Sequence, residues 1–332
     1  MKRTDMAAPR LALARLSVAG CTPFPALVSN GSAQALDGWH GACDGSLQGS
    51  HSMDALLRAW SANGALLRAA ELDPAVARPL ADFRVHAPLV PRQVYCTIGN
   101  YREQLVEAAL DAEPSLCAEE AQARRGAVLQ TVEWRRREGA PYACVKPSAA
   151  AADPYTSLLM HPDERTLDWE VEIGVVIGRT AHRVPVERAL EHVAGYCTVN
   201  DITLRERVFR ADPKAMGTDF LQAKGGPGWL PIGPWLVPAS HVADPQSLHL
   251  TLRLNGRTMQ DGDACDMVFT IAEQIAYLSH HTRLEPGDLI CTGSPAGFGI
   301  HHGRYLQPGD VVEAEVVGLG LQRLHLLSCE TS

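Results

Sequence analysis

The fold depends on the stretch Asp168-Trp169-Glu170-Val171-Glu172-Ile173-Gly174-Val175-Val176-Ile177-Gly178. The side chains at its odd-numbered positions, from Trp169 to Ile177, are all apolar and rich in β-branched residues. This alternation predicts a β-strand with one apolar face. The opposite face begins with the carboxylates Asp168, Glu170 and Glu172.

Two interpretations fit these carboxylates. Side chains two positions apart on a strand lie on the same face, roughly 7 Å from one another. Carboxylates that close, beside a run apolar enough to be core, repel each other and lose hydration unless a cation lies between them. A hard divalent ion with oxygen ligands would satisfy them. The alternative is an edge strand whose polar face is in water, and the motif alone leaves both open.

Further motifs follow in a fixed order along the chain. They are a second strand ending in Asn200-Asp201, Arg205 four residues later, Lys224 before Gly225-Gly226, and the turn Thr292-Gly293-Ser294-Pro295. In this order and spacing, residues 91 to 325 resemble the fumarylacetoacetate hydrolase family. The ordered set carries the resemblance, since no single motif is specific by itself.

The resemblance implies an α+β, mostly β fold. We expect a mixed β-roll catalytic domain over residues 89–332 and a small N-terminal α/β domain over residues 1–88, with Pro88 and Pro91 at the boundary. In the smaller domain, residues 11–18 and 25–28 read as strands. Residues 52–67 read as a helix that Ser52 can cap.

A long insertion separates Tyr101 from Tyr142. Residues 118–138 are rich in Ala, Glu, Gln and Arg, which favour helix. We interpret residues 101–142 as an enlarged lid over the site. An ordinary surface insertion or a dimer contact is the alternative.

Composition excludes several classes of function. The formal net charge is −8 and no long basic run exists, so nucleic acid is an unexpected partner. No apolar run approaches the ~20 residues of a membrane-spanning helix. The nine cysteines are scattered without metal-site spacing, which is typical of reduced thiols in a cytoplasmic protein. The resemblance implies a homodimer.

By resemblance, Glu170, Glu172 and Asp201 are the metal ligands. An oxygen-only set of three carboxylates suits Mg²⁺ or Mn²⁺. Such an ion would chelate a 2-oxo acid and stabilise, as a Lewis acid, the enolate formed when a bond next to the oxo group breaks. We interpret Asp168 as a residue at the start of the strand.

The resemblance also assigns residues around the metal. Lys224 is the expected catalytic lysine, although the Gly-Gly-Pro that follows it departs from the family's pattern. Arg205, Thr292 and Ser294 are expected to bind substrate. Tyr101 is expected to do so too, because Gly99-Asn100-Tyr101 resembles the family's Gly-x-Asn-Tyr turn, where the lid begins. Lys146, in a Lys-Pro motif, has only weak support for a role.

The acid–base pair of the lid departs most from the family. The family has a histidine three residues after this tyrosine and a glutamate three residues further on. Here the glutamate is Glu107, but the histidine position is Gln104, which cannot take up a proton. We therefore expect Glu107 to act as the base, with Gln104 orienting water. One of His301 and His302 is a further candidate to replace the missing imidazole.

Three functions remain open at this point. The first is hydrolytic carbon–carbon cleavage of a 2-oxo or 2,4-dioxo acid by a Mg²⁺- or Mn²⁺-dependent enzyme. The second keeps the metal-stabilised enolate but decarboxylates, isomerises or dehydrates a 2-oxo acid, a change that the loss of the lid histidine favours. The third is a non-catalytic member of the family.

Overall fold

The computed structural model describes residues 10–37, 39–40, 46–210, 212 and 217–329. The strands are β1 (Ala12–Ser17), β2 (Phe24–Ser29), β3 (Ser32–Ala35), β4 (Arg78–Pro79), β5 (Arg84–His86), β6 (Val94–Ile98), β7 (Tyr142–Lys146), β8 (Ala151–Ala152), β9 (Ser157–Met160), β10 (Leu167–Asp168), β11 (Val171–Ile177), β12 (Val193–Asn200), β13 (Thr203–Leu204), β14 (Leu230–Pro231), β15 (Val237–Pro238), β16 (His249–Leu254), β17 (Arg257–Asp263), β18 (Leu289–Cys291), β19 (Val311–Val316) and β20 (Gly320–Ser328). The helices are α1 (Met53–Arg58), α2 (Trp60–Arg68), α3 (Arg102–Asp111), α4 (Ala118–Glu138), α5 (Val186–Ala189), α6 (Phe220–Lys224) and α7 (Ile271–His281). None of these described helices is long and apolar enough to span a membrane.

Three larger sheets carry the architecture of the described residues. The first runs in the order β4-β3-β2-β1-β5, the second β15-β12-β11-β18-β6-β7 and the third β17-β16-β19-β20-β9. Neighbours are antiparallel except for the pairs β18–β6 and β20–β9, which are parallel. The second and third sheets therefore mix strand directions, in agreement with the expected mixed β-roll.

The predicted strand is confirmed as β11, at the centre of the second sheet between β12 and β18. All of its residues are buried. Val171, Ile173 and Val175 belong to one apolar cluster, whereas Val176 packs in a second cluster with Leu289. Because both faces are covered, the edge-strand alternative is wrong and the carboxylates on this strand are inside the protein.

The N-terminal predictions hold with one change. β1 and β2 are the two expected strands, and the Ser52 hydroxyl caps α1 by accepting the Ala55 N–H at 3.1 Å. The single helix expected over residues 52–67 is instead broken at Ala59 into α1 and α2. Trp60 directly follows the break and packs against Gly178. Leu13 of β1 exchanges backbone hydrogen bonds of 2.9 Å with Leu236, and the domain boundary at residue 88 stays a prediction.

Helix α4 spans the predicted residues 118–138. It packs along α3, and Val132 joins Val268 and Phe269 in a small apolar cluster. The Arg136 guanidinium also pairs with Glu273 at 2.6 Å. These contacts fasten the insertion to α7 and to the segment before it, and its function as a lid stays a prediction.

Two glycine substitutions test this packing. A Cβ at Gly174 of β11 would lie 2.7 Å from Val199 and 2.8 Å from Cys197, so Gly174→Ala should destabilise the fold by ~1–3 kcal/mol. Gly126 on α4 has nothing within 4 Å of that position, so Gly126→Ala should stabilise by ~0.5–1 kcal/mol. Urea unfolding measures both free energies, and changes of equal sign would contradict the described packing.

Candidate metal centre

Three carboxylates converge where β11 and β12 lie side by side. Glu170 directly precedes β11, Glu172 is the second residue of β11, and Asp201 directly follows β12. Backbone pairing aligns them, because the Asp201 N–H donates to the Glu170 carbonyl at 2.8 Å. One oxygen from each side chain lies within 4.8 Å of the others, and all three residues are buried. The structure thus brings together the predicted metal ligands.

Two lysines neutralise Asp201. Lys224 Nζ lies 2.5 Å from Asp201, 3.3 Å from Glu170 and 2.7 Å from the Thr203 hydroxyl. Lys146 Nζ lies 2.6 Å from the other Asp201 oxygen and donates to two backbone carbonyls. Burial alone would raise the pKa of Asp201, but the two ammonium groups outweigh it and hold this pKa below its usual range.

Lys146 is therefore part of the centre, although the Lys-Pro motif gave it little weight. The one signal in the sequence was its position at the end of an apolar strand, where a buried lysine needs a carboxylate partner. Gly226, which follows Lys224, has a packing role: a Cβ there would lie 2.2 Å from the Trp229 ring. The position of the Trp229 ring thus requires a glycine at position 226.

Arg205 is the third cation in contact with these carboxylates. It donates to Asp168 at 2.8 Å and to Glu170 at 2.7 Å, and its guanidinium lies 4.5 Å from the centre of the Phe298 ring. Its Nη2 is buried and has no hydrogen-bond partner among the described residues. One nitrogen of a fixed cation is thus left without a partner among the described residues, which suits an anionic ligand.

Asp168 braces this arrangement and lies outside the triad. Besides Arg205, its carboxylate accepts the backbone N–H groups of Trp169, Gly299 and Ile300. It therefore ties the loop of residues 295–302 to the start of β11.

Glu172 is the carboxylate without a cation. Its described hydrogen bond is from the Gly293 N–H at 2.8 Å, and no described lysine or arginine forms an ion pair with it. Burial, with the negative charges of Asp201 and Glu170, raises its pKa well above the ordinary value. Four buried carboxylates (Asp168, Glu170, Glu172 and Asp201) thus face three cations (Lys146, Lys224 and Arg205). An oxygen-only donor set with one carboxylate in excess fits Mg²⁺ or Mn²⁺.

Tyr101 also borders the triad. Its hydroxyl is fully buried beside Thr292 and has no hydrogen-bond partner among the described residues. Burial and then the charge of Glu172 raise its pKa well above the ordinary value. A buried hydroxyl without a partner costs stability, which is consistent with a group reserved for a ligand.

The hydroxyls of Thr292 and Ser294 have backbone partners. They donate to the carbonyls of Ile173 at 3.1 Å and Val171 at 2.8 Å, and so fasten their turn to β11. Their contact with substrate stays a prediction.

The residues assigned to acid–base chemistry in the lid lie outside the triad. Glu107 accepts the Gly297 N–H at 2.7 Å and forms no hydrogen bond with the triad. Gln104 is half-buried and makes no side-chain hydrogen bond with a described residue. His301 lies with Nε2 3.9 Å from Glu107, whereas His302 contacts the Met259 carbonyl. Of the two candidate histidines, the structure brings His301 to the lid glutamate.

Comparisons with known proteins agree with this geometry. The family model described as fumarylacetoacetate (FAA) hydrolase C-terminal matches residues 93–326. A curated relative, 2,4-didehydro-3-deoxy-L-rhamnonate hydrolase of Sphingomonas sp. (strain SKA58), is 39% identical over 188 residues, which are 55% of this chain and 64% of the relative. The chain thus spans less than two thirds of that relative's length.

Solved structures share the fold over nearly the whole chain. A maleylpyruvate hydrolase from Sphingobium sp. SYK-6, in complex with manganese(II) and pyruvate, has a TM-score of 0.70 and 23% identity, covering 96% of this chain and all of its own. A 2-hydroxyhepta-2,4-diene-1,7-dioate isomerase from Mycobacterium marinum has a TM-score of 0.67 and 21% identity, covering 97% of this chain and all of its own. At these identities the likeness shows the fold, and the expected fold class is confirmed.

Glu172→Gln tests the metal assignment. Because the folded-state pKa of Glu172 is raised, the metal-free protein loses stability as pH rises above the ordinary glutamate value of ~4.3. The neutral amide removes that loss, so at neutral pH the metal-free variant should be more stable than the wild type by at least ~1 kcal/mol.

Added MnCl₂ should raise the melting temperature of the wild type and leave that of Glu172→Gln unchanged. Differential scanning calorimetry measures both effects. Glu119→Gln, on an exposed face of α4, controls for nonspecific ion binding. An equal Mn²⁺ response in Glu172→Gln and the wild type would refute the assignment.

Proposed function

Because the chain belongs to the fumarylacetoacetate hydrolase family, we propose that it is a Mg²⁺- or Mn²⁺-dependent enzyme that hydrolyses a carbon–carbon bond of a 2-oxo or 2,4-dioxo acid. The observation that carries the proposal is the buried triad of Glu170, Glu172 and Asp201 with an uncompensated negative charge. The names of the relatives, which include hydrolases and an isomerase of oxo acids, support the substrate class.

The triad would hold the cation. A divalent ion there would act as a Lewis acid that polarises the 2-oxo group of the substrate. The surrounding cations have separate roles. Lys146 keeps Asp201 ionised and oriented, and Lys224, which reaches both Asp201 and Glu170, is placed to stabilise negative charge that develops on the substrate.

Arg205 and Tyr101 would bind the substrate's acid group. Each presents a buried polar atom that no described residue satisfies, and a carboxylate accepts from both kinds of donor. Glu107 at the rim is the assigned acid–base residue, and Gln104 three residues earlier on α3 can orient a water. Thr292 and Ser294 are assigned a supporting contact through their turn.

A second reaction type stays open because of Gln104. Decarboxylation, isomerisation or dehydration of a 2-oxo acid needs the same centre but no activated water that attacks carbon. The products distinguish the reactions: hydrolysis gives two carbon fragments, whereas the alternatives give CO₂ or one rearranged skeleton.

We also propose a cytoplasmic homodimer. The dimer rests on family resemblance. The cytoplasmic location is supported by the spacing of the nine cysteines in the sequence, which are scattered without a metal-site or disulfide-framework pattern.

Metal-dependent turnover tests the proposed function directly. With MgCl₂ or MnCl₂, the protein should cleave at least one member of a 2,4-dioxo acid panel that begins with 2,4-dioxopentanoate, and EDTA should abolish the activity. Product masses identify the reaction type. A panel without any metal-dependent product, tested on protein shown to bind Mn²⁺, would refute the proposed cleavage of a 2,4-dioxo acid.

Arg205→Lys tests the binding of the acid group. Lysine keeps the positive charge but lacks the planar guanidinium fork, whose separate nitrogens contact Asp168 and Glu170 and leave another nitrogen for the substrate. KM should therefore rise by about 10- to 100-fold, more than kcat falls. Arg323→Lys, which alters the ion pair with Glu313 on the hairpin of β19 and β20, is the control. An unchanged KM in Arg205→Lys would exclude this binding role.

A further inference from the structure

The loop of residues 295–302 connects the buried centre to the lid. At its inner end, Gly297 accepts the Trp169 indole N–H at 3.0 Å, and the Gly299 N–H reaches Asp168 at 2.7 Å. Toward the lid, the Gly297 N–H donates to Glu107 and His301 contacts Asp111, both on α3. A side chain on this loop is therefore placed between the acidic centre and the lid helix.

His301 is that side chain. Its Nδ1 lies 2.5 Å from Asp111, its Nε2 lies 3.9 Å from Glu107, and its side chain is only 8% exposed. The imidazole stacks on Phe298 with ring centres 5.9 Å apart, and the same Phe298 ring contacts Arg205. Among the described histidines, His301 alone forms an ion-pair contact with a carboxylate of α3.

The two nitrogens of His301 have different surroundings. The close contact with Asp111 favours a proton on Nδ1, because a carboxylate accepts only from N–H. Nε2 then carries the lone pair and points toward Glu107. A carboxylate that sets the tautomer of an imidazole in this way prepares the other nitrogen for proton transfer.

We propose that His301 is an acid–base residue of this site, working with Glu107 and positioned by Asp111. The inference rests on the proposed hydrolytic function. In it, a water oxygen bonds to the carbonyl carbon of the scissile bond and one water proton passes to Nε2, directly or through Glu107. The carbon–carbon bond breaks, its electron pair stays on the carbon next to the 2-oxo group, and that carbon takes the proton back from the imidazolium. The products are a carboxylic acid and a 2-oxo acid.

The alternative is a purely structural role for His301, which we call a latch. In that role its contacts with Glu107 and Asp111 only hold α3 against the loop. A latch affects substrate binding and release, whereas an acid–base residue affects the chemical step and its dependence on pH. The charged groups nearest the imidazole are Glu107 and Asp111 on α3. Arg205 lies on the Phe298 ring that stacks on the imidazole, and Asp168 accepts the backbone N–H of Ile300, next to His301.

The test compares His301→Gln with His302→Gln, which changes the adjacent histidine that does not contact α3. With 2,4-dioxopentanoate and MnCl₂, His301→Gln should lower kcat by about 10²- to 10⁴-fold with little change in KM, and His302→Gln should keep the wild-type kcat. The part of the pH dependence of kcat that arises from an imidazole in the wild type should be absent from His301→Gln. Calorimetric titration with MnCl₂ should give the same affinity in all three proteins, which shows that the centre is intact.

Asp111→Asn provides a second test that keeps the imidazole. Asp111 is 47% exposed, so this change should not affect folding. Asparagine can donate to Nδ1 as well as accept from it, so it no longer fixes the tautomer, and kcat should fall while KM stays near the wild-type value. A wild-type kcat in Asp111→Asn would overturn the positioning role of Asp111.

The proposal is overturned if His301→Gln keeps a kcat within about threefold of the wild type, or if its loss lies in KM alone. If the wild type itself does not turn over any acid of the panel, the proposed function fails and the inference falls with it. The two failures are thus distinguished by the activity of the wild type.

Discussion

The excess of buried carboxylates over cations at the start of β11 is the constraint on which the site depends. Each carboxylate would be unstable alone in this interior, since burial opposes ionisation and its neighbours repel it. The compensating cations come from three separate segments, with Lys146 at the end of β7, Arg205 after β13 and Lys224 at the end of α6. The centre therefore exists only when these segments are in place, and Glu172 remains as the charge that a metal ion would balance.

The same network also positions the rim of the site. Asp168 pairs with Arg205 and accepts two N–H groups of the loop 295–302, so the loop cannot move without disturbing the cation that contacts Glu170. Gly299 makes the close approach to Asp168 feasible, because a Cβ there would lie 2.6 Å from Asp168 Oδ1 and 2.2 Å from the Arg304 carbonyl oxygen. Structural bracing and substrate binding thus share residues, and changes at Asp168 would affect both.

The lid region shows how a site can replace one residue by another from a distant segment. Gln104 occupies the position at which the family has a proton-transferring side chain, yet an imidazole from the loop after the Thr-Gly-Ser-Pro turn approaches the same glutamate. The chemical requirement is for a titratable group near Glu107, and it does not specify which segment supplies that group.

The sequence by itself determined the features that depend on local pattern. Alternating apolar residues predicted β11 and helix-favouring composition predicted α4. The carboxylates on one strand face allowed a metal site, and the family resemblance of the ordered motifs selected Glu170, Glu172 and Asp201 as its ligands. Only the tertiary structure decided that β11 is buried on both faces, that Lys146 belongs to the centre, and that His301 reaches Glu107 while His302 does not. These contacts join residues far apart in the chain, and they depend on the packing of sheets and the path of loops, which local periodicity does not encode.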